Sequence, residues 1–232
     1  MKLSIIIPAY NEEKRIEPLL RALPSYFKHD AEIIVVINNT TDKTEDVVKI
    51  VMKDYKTISY FVIPKNKGKG ESVIEGFKKT NGEYLCFIDA DSSADTTQLD
   101  KLYQELQHSD YAGIIGSRWI KGAKITKYQP LPRIIASRAY NLLVRLILGL
   151  PYKDTQCGLK IFRKEPIFKV INEITPTQAE FDVALLYALH KHGYKVKESP
   201  IVWADDPNTV FKMRQIIPKM FKALLTIKRE TK

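Results

Sequence analysis

The stretch YLCFIDADSS, residues 84–93, joins a solid apolar run to two aspartates two positions apart. Such a run is typical of a strand that helices cover on both faces of a parallel sheet. Residues two apart on an extended chain point to the same side, so Asp89 and Asp91 can face one ligand. No lysine or arginine lies within the stretch. We therefore predict a buried strand that ends in an acidic site.

Short apolar runs and longer amphipathic segments alternate on both sides of this strand. Earlier strands are predicted at SIIIPA, EIIVVI and ISYFVI, with helices from about residue 12 to 27, from Thr44 and from about Gly70. Later elements are a helix at 95–107, a strand at YAGIIGS, a helix at 133–149, a strand at LKIF, a helix at 180–193, a strand at KVKESPIVW and a basic C-terminal helix. The alternation predicts an α/β fold in which a mainly parallel, twisted sheet has helices on both faces.

Composition sets broad limits on function. The 232 residues, 44% of them hydrophobic, suffice for one domain with a full core. A formal charge of +10 favours anionic partners such as nucleotides, phosphates, nucleic acid or an acidic membrane surface. The two cysteines suggest neither a disulfide framework nor a zinc site, which favours a reducing compartment. Because Arg145 interrupts the apolar run LLVRLILGLPY, we expect no membrane span, which needs roughly 20 residues.

The aspartate pair favours a metal site. Ligands of open parallel sheets bind beyond the carboxyl ends of the strands, where Asp89 and Asp91 are predicted to lie. Two nearby anions repel each other unless a cation lies between them, and a hard divalent ion such as Mg²⁺ or Mn²⁺ completes its shell with substrate phosphates. The pair therefore predicts a metal-bound diphosphate. The alternative is that Asp89 caps the following loop and Asp91 is solvated.

Two further loops follow predicted strands. PKNKGKGES, residues 64–72, offers free backbone N–H groups and three lysines to an anion. It matches neither a Walker loop nor a dinucleotide fingerprint, and a solvated basic turn explains it as well. In PAYNEE, residues 8–13, Asn11 can cap the first helix, Glu12 suits the positive end of that helix, and Tyr10 can pack on a base or ribose. Turn chemistry alone explains these residues equally well.

Taken together and in order, PAYNE, INNTTDKT, NKGKGES, DADSS and GSR resemble family 2 glycosyltransferases of the GT-A fold. The resemblance implies that Asp89 and Asp91 hold a nucleotide sugar through Mg²⁺ or Mn²⁺, and that Asp89, Asp91 and Arg118 are catalytic. It implies a nucleotide-sugar site of Pro8, Ala9, Tyr10, Glu12, Val36, Asn38, Lys69, Asp89, Ala90, Asp91 and Arg118.

Residues 131–165 are similar to polyprenyl-phosphate sugar synthases, particularly dolichyl-phosphate glucosyltransferases and mannosyltransferases. This resemblance implies acceptor-binding roles for Arg133, Ser137 and Lys160. Arg133, Ser137 and Asn141, spaced four apart, share a helix face that could meet a phosphate, although an ordinary packed helix or a solvated Lys160 fits as well. A phosphate monoester is largely dianionic at neutral pH and needs little help from a general base. Its direct attack on the anomeric carbon would invert the configuration of that carbon.

These similarities divide the single domain into a nucleotide-sugar half, 1–118, and an acceptor half, 119–232, which ends in a basic amphipathic helix. A polyprenyl acceptor stays in the bilayer, so we expect peripheral contact with the cytoplasmic face of a membrane and no nucleic-acid partner. A separate membrane partner that delivers the acceptor remains open. The expected donor is UDP-glucose first and GDP-mannose second.

The sequence departs from the family pattern at three places. Ile37 and Asn38 replace two acids that relatives commonly carry, Val210 stands where a lysine is expected, and Ala184 replaces an acid. The replacement of the two acids by Ile37 and Asn38 leaves the nucleotide base open, and the three departures together predict altered specificity or lost activity. The alternatives are a family 2 enzyme with a protein or glycan acceptor, a nucleotidyltransferase, and a non-catalytic basic module that binds nucleic acid or membrane.

Overall fold

The computed structural model describes residues 2–28, 30–65, 68–175, 180–205 and 222–229. The first half contains β1 (Leu3–Ala9), α1 (Ile16–Phe27), β2 (Ala31–Asn38), α2 (Thr44–Met52), β3 (Ile58–Ile63), α3 (Lys69–Lys78), β4 (Tyr84–Ile88), α4 (Thr96–Gln107) and β5 (Gly113–Ser117). The second half contains β6 (Lys124–Lys127), α5 (Leu131–Leu148), β7 (Leu159–Arg163), α6 (Lys164–Val170), a 3₁₀ turn (Ile171–Glu173), α7 (Phe181–Lys191), β8 (Val196–Pro200), β9 (Val202–Ala204) and α8 (222–229).

Seven strands form one sheet in the order β3-β2-β1-β4-β7-β5-β8. Every neighbouring pair is parallel except those made by β7, which runs antiparallel to β4 and β5. The chain reaches β7 from the carboxyl edge of the sheet, since Leu159 at its start lies opposite Ile88 at the end of β4. The predicted mainly parallel sheet is confirmed, and the LKIF strand is its antiparallel member.

Helices cover both faces of the sheet, as predicted. The alternating side chains of β1 divide between two cores: Ile6 packs with residues of α3, α5, α6 and α7, and Ile5 and Ile7 pack with residues of α1, α2 and α4. Because both faces are covered, the open positions for a ligand lie at the strand ends. The predicted strands at SIIIPA, EIIVVI, ISYFVI and YLCFI are all present.

The first helix begins later than predicted, at Ile16 and not near Glu12. Asn11 does not cap it: the backbone there adopts a positive φ of 55°, and the Asn11 side-chain oxygen accepts hydrogen bonds from Thr40 Oγ1 at 2.8 Å and the Thr41 N–H at 2.9 Å. Glu12 N–H donates to Thr44 Oγ1 at 2.7 Å. These bonds tie the loop after β1 to the loop after β2 at the carboxyl edge.

The predicted strand KVKESPIVW is divided at Ile201. Its first part, β8, pairs with β5 in the main sheet, and its second part, β9, pairs with β6 in a separate two-stranded sheet. Strand β6 was not predicted, because only one residue in KITK is apolar. This small sheet places Trp203 near the end of β5.

Val210 and most of the predicted basic C-terminal helix lie outside the described residues. Within α8, Leu224 and Ile227 are buried in the core that covers α7. Among the helices that the structure describes, none is both long and apolar enough to cross a membrane.

Candidate active site

Asp89 lies directly beyond the end of β4 and beside the start of β7. Its N–H donates to the Gly158 carbonyl at 2.9 Å, which continues the β4–β7 pairing. The Asp89 carboxylate also packs on the Gly158 backbone so closely that a Cβ atom on residue 158 would overlap it. Gly158 therefore fixes the position of this carboxylate. The sequence alone did not single out Gly158.

Asp91 lies two residues further along the same loop. Its Oδ1 accepts a hydrogen bond from the Ser93 N–H at 3.0 Å. Burial and the neighbouring negative charge of Asp89 raise the pKa of Asp91 above its ordinary value. The hydroxyl oxygens of Ser92 and Ser93 are buried without a partner among the described residues. The loop thus places a carboxylate with a raised pKa beside two serine hydroxyl groups that have no described hydrogen-bond partner.

A third carboxylate, Glu12, shares this field. Arg15 binds it with two hydrogen bonds, at 2.8 Å to Oε2 and 2.7 Å to Oε1. Burial is the main reason that the pKa of Glu12 rises to about 7, with Asp91 and Asp89 adding to the rise and Arg15 opposing it. The loops after β1 and β4 therefore converge on one acidic edge, formed by Glu12, Asp89 and Asp91.

Lys69, the first residue of α3, neutralises part of this edge. Its Nζ lies 2.8 Å from Asp89 Oδ1 and 3.5 Å from Asp182 Oδ2. Burial alone would lower the pKa of Lys69, but the charges of Asp182 and Asp89 raise it above its ordinary value. Lys69 therefore stays charged where the predicted diphosphate would lie. Asn38 supports this position by donating from Nδ2 to the Gly68 carbonyl at 3.0 Å.

Lys160 does not have the accessible position that a role in acceptor binding requires. Its side chain is fully buried, and Nζ donates to the Cys157 carbonyl and pairs with Asp182. Burial alone would raise the pKa of Asp182, but Lys160 and Lys69 hold it below its ordinary range. Asp182 consequently links the two lysines, and Lys160 is part of the interior of the site.

Arg118 is also held in the interior. Its Nε and Nη2 donate to Asp154 at 2.7 Å and 2.8 Å, and its N–H donates to the same carboxylate at 2.9 Å. The indole rings of Trp119 and Trp203 flank the guanidinium, with centroids 5.5 Å and 5.0 Å away. Burial alone would lower the pKa of Arg118, but Asp154 raises it above its ordinary value, with smaller contributions that include the charge of Asp89. Arg118 is thus electrostatically coupled to the acidic edge, and its contact with the sugar or diphosphate stays a prediction.

The other residues of the predicted nucleotide site differ in accessibility. Tyr10 is exposed and Pro8 is half-buried, whereas the side chains of Ala9 and Ala90 are buried. Val36 is fully buried in the core with Ile6. Its side chain therefore cannot line an open nucleotide site, because an interior position of β2 points it beneath a covering helix.

The predicted acceptor residues on α5 are tied to the domain. Arg133 Nη1 lies 3.3 Å from Asp205 Oδ1, and the Ser137 hydroxyl is buried without a described partner. Asn141 Oδ1 accepts from the N–H and the hydroxyl of Thr155, both at 2.8 Å. The helix face predicted from their spacing exists, and it packs inward. A role for Arg133 and Ser137 toward a phosphate stays a prediction.

The donor set at the acidic edge fits a divalent metal. Among the described residues no group of three His, Cys, Asp or Glu side chains could enclose an ion, so Asp89 and Asp91 would leave most of the shell to other oxygens. Mg²⁺ and Mn²⁺ accept such a site when a diphosphate and water complete it. A cation would also relieve the repulsion that raises the pKa of Asp91.

Asp154, Asp182 and Gly158 are functional neighbours that sequence reasoning missed. An acid within an apolar helix, such as Asp182 in FDVALL, is a usable signal, because buried charges are found almost only with partners. Their partners Arg118 and Lys69, however, lie 36 and 113 positions away along the sequence. Pairing over such separations is fixed only by the fold.

The fold and the family of this chain match those of known proteins. A solved structure of glucosyl-3-phosphoglycerate synthase from Mycobacterium tuberculosis, in complex with Mn²⁺, uridine diphosphate and glucosyl-3-phosphoglycerate, superimposes with a TM-score of 0.71 at 17% identity, covering 97% of this chain and 78% of that one. The GT-A fold predicted from the sequence is confirmed. The profile described as "Glycosyl transferase family 2" matches residues 4–170. The chain belongs to this family.

Three relatives share between 27% and 29% of aligned residues with this chain. Dolichyl-phosphate beta-glucosyltransferase of Saccharomyces cerevisiae is 29% identical over 248 residues, 97% of this chain and 74% of that protein. The Homo sapiens protein of the same name is 27% identical over 219 residues, 88% of this chain and 68% of that protein. Glycosyltransferase AglD of Haloferax volcanii is 28% identical over 214 residues, and these span 90% of this chain but only 34% of AglD.

Proposed function

We propose that this protein is a metal-dependent, inverting glucosyltransferase that moves glucose from UDP-glucose to a polyprenyl phosphate such as dolichyl phosphate. The acidic edge beside Lys69 is the observation that carries the proposal, since it offers two metal ligands and a charged lysine to one diphosphate. The names of the Saccharomyces and human relatives favour glucose over mannose and a lipid phosphate over a protein or glycan acceptor.

The donor half of the proposed site consists of Asp89, Asp91 and Lys69. The two carboxylates would hold Mg²⁺ or Mn²⁺, and the metal would stabilise the negative charge that develops on the leaving diphosphate. Lys69 is held 2.8 Å from Asp89 Oδ1, so its ammonium lies next to the same diphosphate. Tyr10 is exposed at the end of β1 and offers its ring to the base or ribose.

The acceptor supplies its own nucleophile. A phosphate oxygen forms a bond to the anomeric carbon while the bond from that carbon to the diphosphate breaks, and UDP leaves with that electron pair. A dianionic phosphate has no proton to lose, so the enzyme contributes position and charge stabilisation rather than a general base. Arg133 and Ser137 are the proposed acceptor residues. Direct displacement inverts the anomeric configuration.

A polyprenyl acceptor resides in the bilayer, so the proposed reaction takes place at a membrane surface. We place the protein on the cytoplasmic face as a peripheral enzyme, which its formal charge of +10 supports. Delivery of the acceptor by a separate membrane protein is compatible with the same site.

Calorimetric titration tests the donor half directly. UDP-glucose and GDP-mannose are titrated into the purified chain with and without Mn²⁺, and we expect UDP-glucose to bind only with the metal. Binding of GDP-mannose instead would move the proposal to a mannosyltransferase. Binding of neither donor would overturn it.

A transfer assay then tests the acceptor half. Labelled UDP-glucose is incubated with detergent-dispersed dolichyl phosphate, and the expected product is a glucosylated lipid phosphate together with UDP. Release of pyrophosphate would indicate a nucleotidyltransferase. Transfer that persists when the lipid is withheld and a protein or glycan is supplied would favour the alternative acceptor class.

A further inference from the structure

Helix α5 presents an apolar stripe to solvent along its whole length. Leu131, Ile135, Leu142 and Leu146 are 67%, 59%, 47% and 72% exposed. Their spacings of four, seven and four residues place them on one face of the helix. Single exposed apolar residues are ordinary, but four along one face, interrupted by Arg138 and Ala139, mark a surface that something else covers.

A basic pocket borders this stripe. A cavity of about 150 Å³ is lined by Trp119, Arg138, Asn141, Arg145 and Lys153. Three of these residues are cationic and none is acidic, and the cavity far exceeds the roughly 15 Å³ that one water needs. Arg138 lies one turn before Leu142, and Arg145 directly precedes Leu146. Cationic and apolar surfaces therefore meet along one edge of the helix.

Trp119 also lines this pocket and carries an unpartnered hydrogen-bond donor. Its ring lies beneath the Arg138 guanidinium, at 5.4 Å from the centroid. Its indole N–H is buried, yet it finds no acceptor among the described residues. A buried donor without an acceptor is costly, so a ligand that brings an acceptor oxygen to this side chain would be stabilised.

We propose that this pocket binds the phosphate of an anionic phospholipid at the bilayer surface while the α5 stripe lies among the acyl chains. A phosphate joined to hydrocarbon matches a basic pocket beside an apolar stripe, as in interfacial helices. The phospholipid fits better than the acceptor lipid because the proposed acceptor residues Arg133 and Ser137 do not line the pocket, and Arg133 pairs with Asp205. This docking surface does not depend on the transferase reaction.

Vesicle sedimentation tests the docking surface in the full chain. Vesicles of phosphatidylcholine alone are compared with an equimolar mixture of phosphatidylcholine and phosphatidylglycerol. We expect salt-sensitive binding to the mixture, and a loss of about thirty-fold in the double variant Arg145→Gln, Lys153→Gln, because each cation at an anionic surface contributes about five-fold. The matched variant Lys53→Gln, Lys56→Gln removes the same charge from exposed positions after α2 and is expected to bind as the parent does.

Two results would overturn the proposal. One is equal binding by the pocket variant and its matched control, which would place the membrane contact elsewhere, for instance in the basic C-terminal residues that both retain. The other is wild-type vesicle binding by the stripe variant Leu142→Ser, Leu146→Ser, which we expect to lose binding while its thermal unfolding is unchanged.

A third measurement separates the two lipid sources. Transfer to dolichyl phosphate is assayed in detergent without phospholipid, and we expect the pocket variant to keep the parent's KM for the acceptor. A raised acceptor KM would assign the pocket to the acceptor phosphate and overturn the phospholipid assignment. Metal-dependent binding of UDP-glucose, measured on the same samples, reports on the proposed function separately.

Discussion

Two carboxylates of the acidic edge, Glu12 and Asp91, and two of the interior, Asp154 and Asp182, have pKa values shifted in opposite directions. At the edge, burial and mutual repulsion raise the pKa values of Glu12 and Asp91. In the interior, Asp154 and Asp182 are more deeply buried, and burial alone would raise their pKa values, yet Arg118 and the lysines hold both below the ordinary range. The cations beside the interior acids more than offset burial, whereas Arg15 offsets the burial of Glu12 only in part. The interior acids therefore stabilise the fold, whereas a bound metal ion would stabilise the charged forms of Glu12 and Asp91.

Removing an interior acid tests the first half of this comparison and has the largest expected effect. Asp182→Ala leaves Lys160 buried without its partner, which costs about 3 to 5 kcal/mol of unfolding free energy. Urea denaturation measures the loss. Asp54→Ala, which removes a surface partner of Arg21, is the control and should cost less than about 1 kcal/mol. Similar losses in both variants would contradict the distinction.

Removing the charge of an edge acid should lower activity without lowering stability. Asp91→Asn is expected to lower metal-dependent transfer by at least about 10²-fold, since a ligand for the stabilising cation is lost. Without metal, the variant should be at least as stable as the parent, because the pKa of Asp91 is already raised. Steady-state kinetics and denaturation in EDTA provide the two measurements. Unchanged transfer would refute the metal-ligand assignment.

Displacing Asp89 without changing its charge tests whether the position of this carboxylate matters for the reaction. In Gly158→Ala the added methyl group overlaps the Asp89 carboxylate, and a displacement of about 1 Å at a reacting site costs on the order of 10²-fold in rate. Donor and Mn²⁺ titrations of the transfer rate measure the effect. Gly116→Ala, whose methyl group would meet the Cys157 and Ile201 side chains instead, should affect stability more than Mn²⁺ dependence.

The smallest expected effect is a pH dependence of stability that originates at Glu12. Its pKa is raised to about 7 in the folded chain, so the folded state binds more protons than the unfolded state between about pH 4.5 and 7. Metal-free stability should therefore fall as pH rises through this window, by on the order of 1 kcal/mol. Denaturation at several pH values in EDTA measures the slope. Glu12→Gln should flatten it, and an unchanged slope in this variant would assign the effect to another group.

Local sequence patterns were sufficient for the buried strands of the main sheet and for the place of the acidic pair. Solid apolar runs specify buried strands because both faces of the sheet are covered, and the residue that follows such a strand lies at its carboxyl edge. The antiparallel direction of β7 and the division at Ile201 were not predictable in this way, because both depend on where the chain returns to the sheet. The boundary at residue 118 stays a prediction, and the main sheet contains strands from both halves.

The α/β fold, the mainly parallel sheet and the position of Asp89 and Asp91 at a strand end were predictable from the sequence, since they follow from periodicity within a few residues. Which charged side chains pair in the interior depends on the tertiary structure. It buried Lys160 on Asp182, closed Arg118 on Asp154, placed Gly158 against Asp89 and left the α5 stripe exposed. Each of these contacts joins residues far apart in the chain or depends on what packs over a face. Their energies exist only after the sheet and its covering helices have assembled.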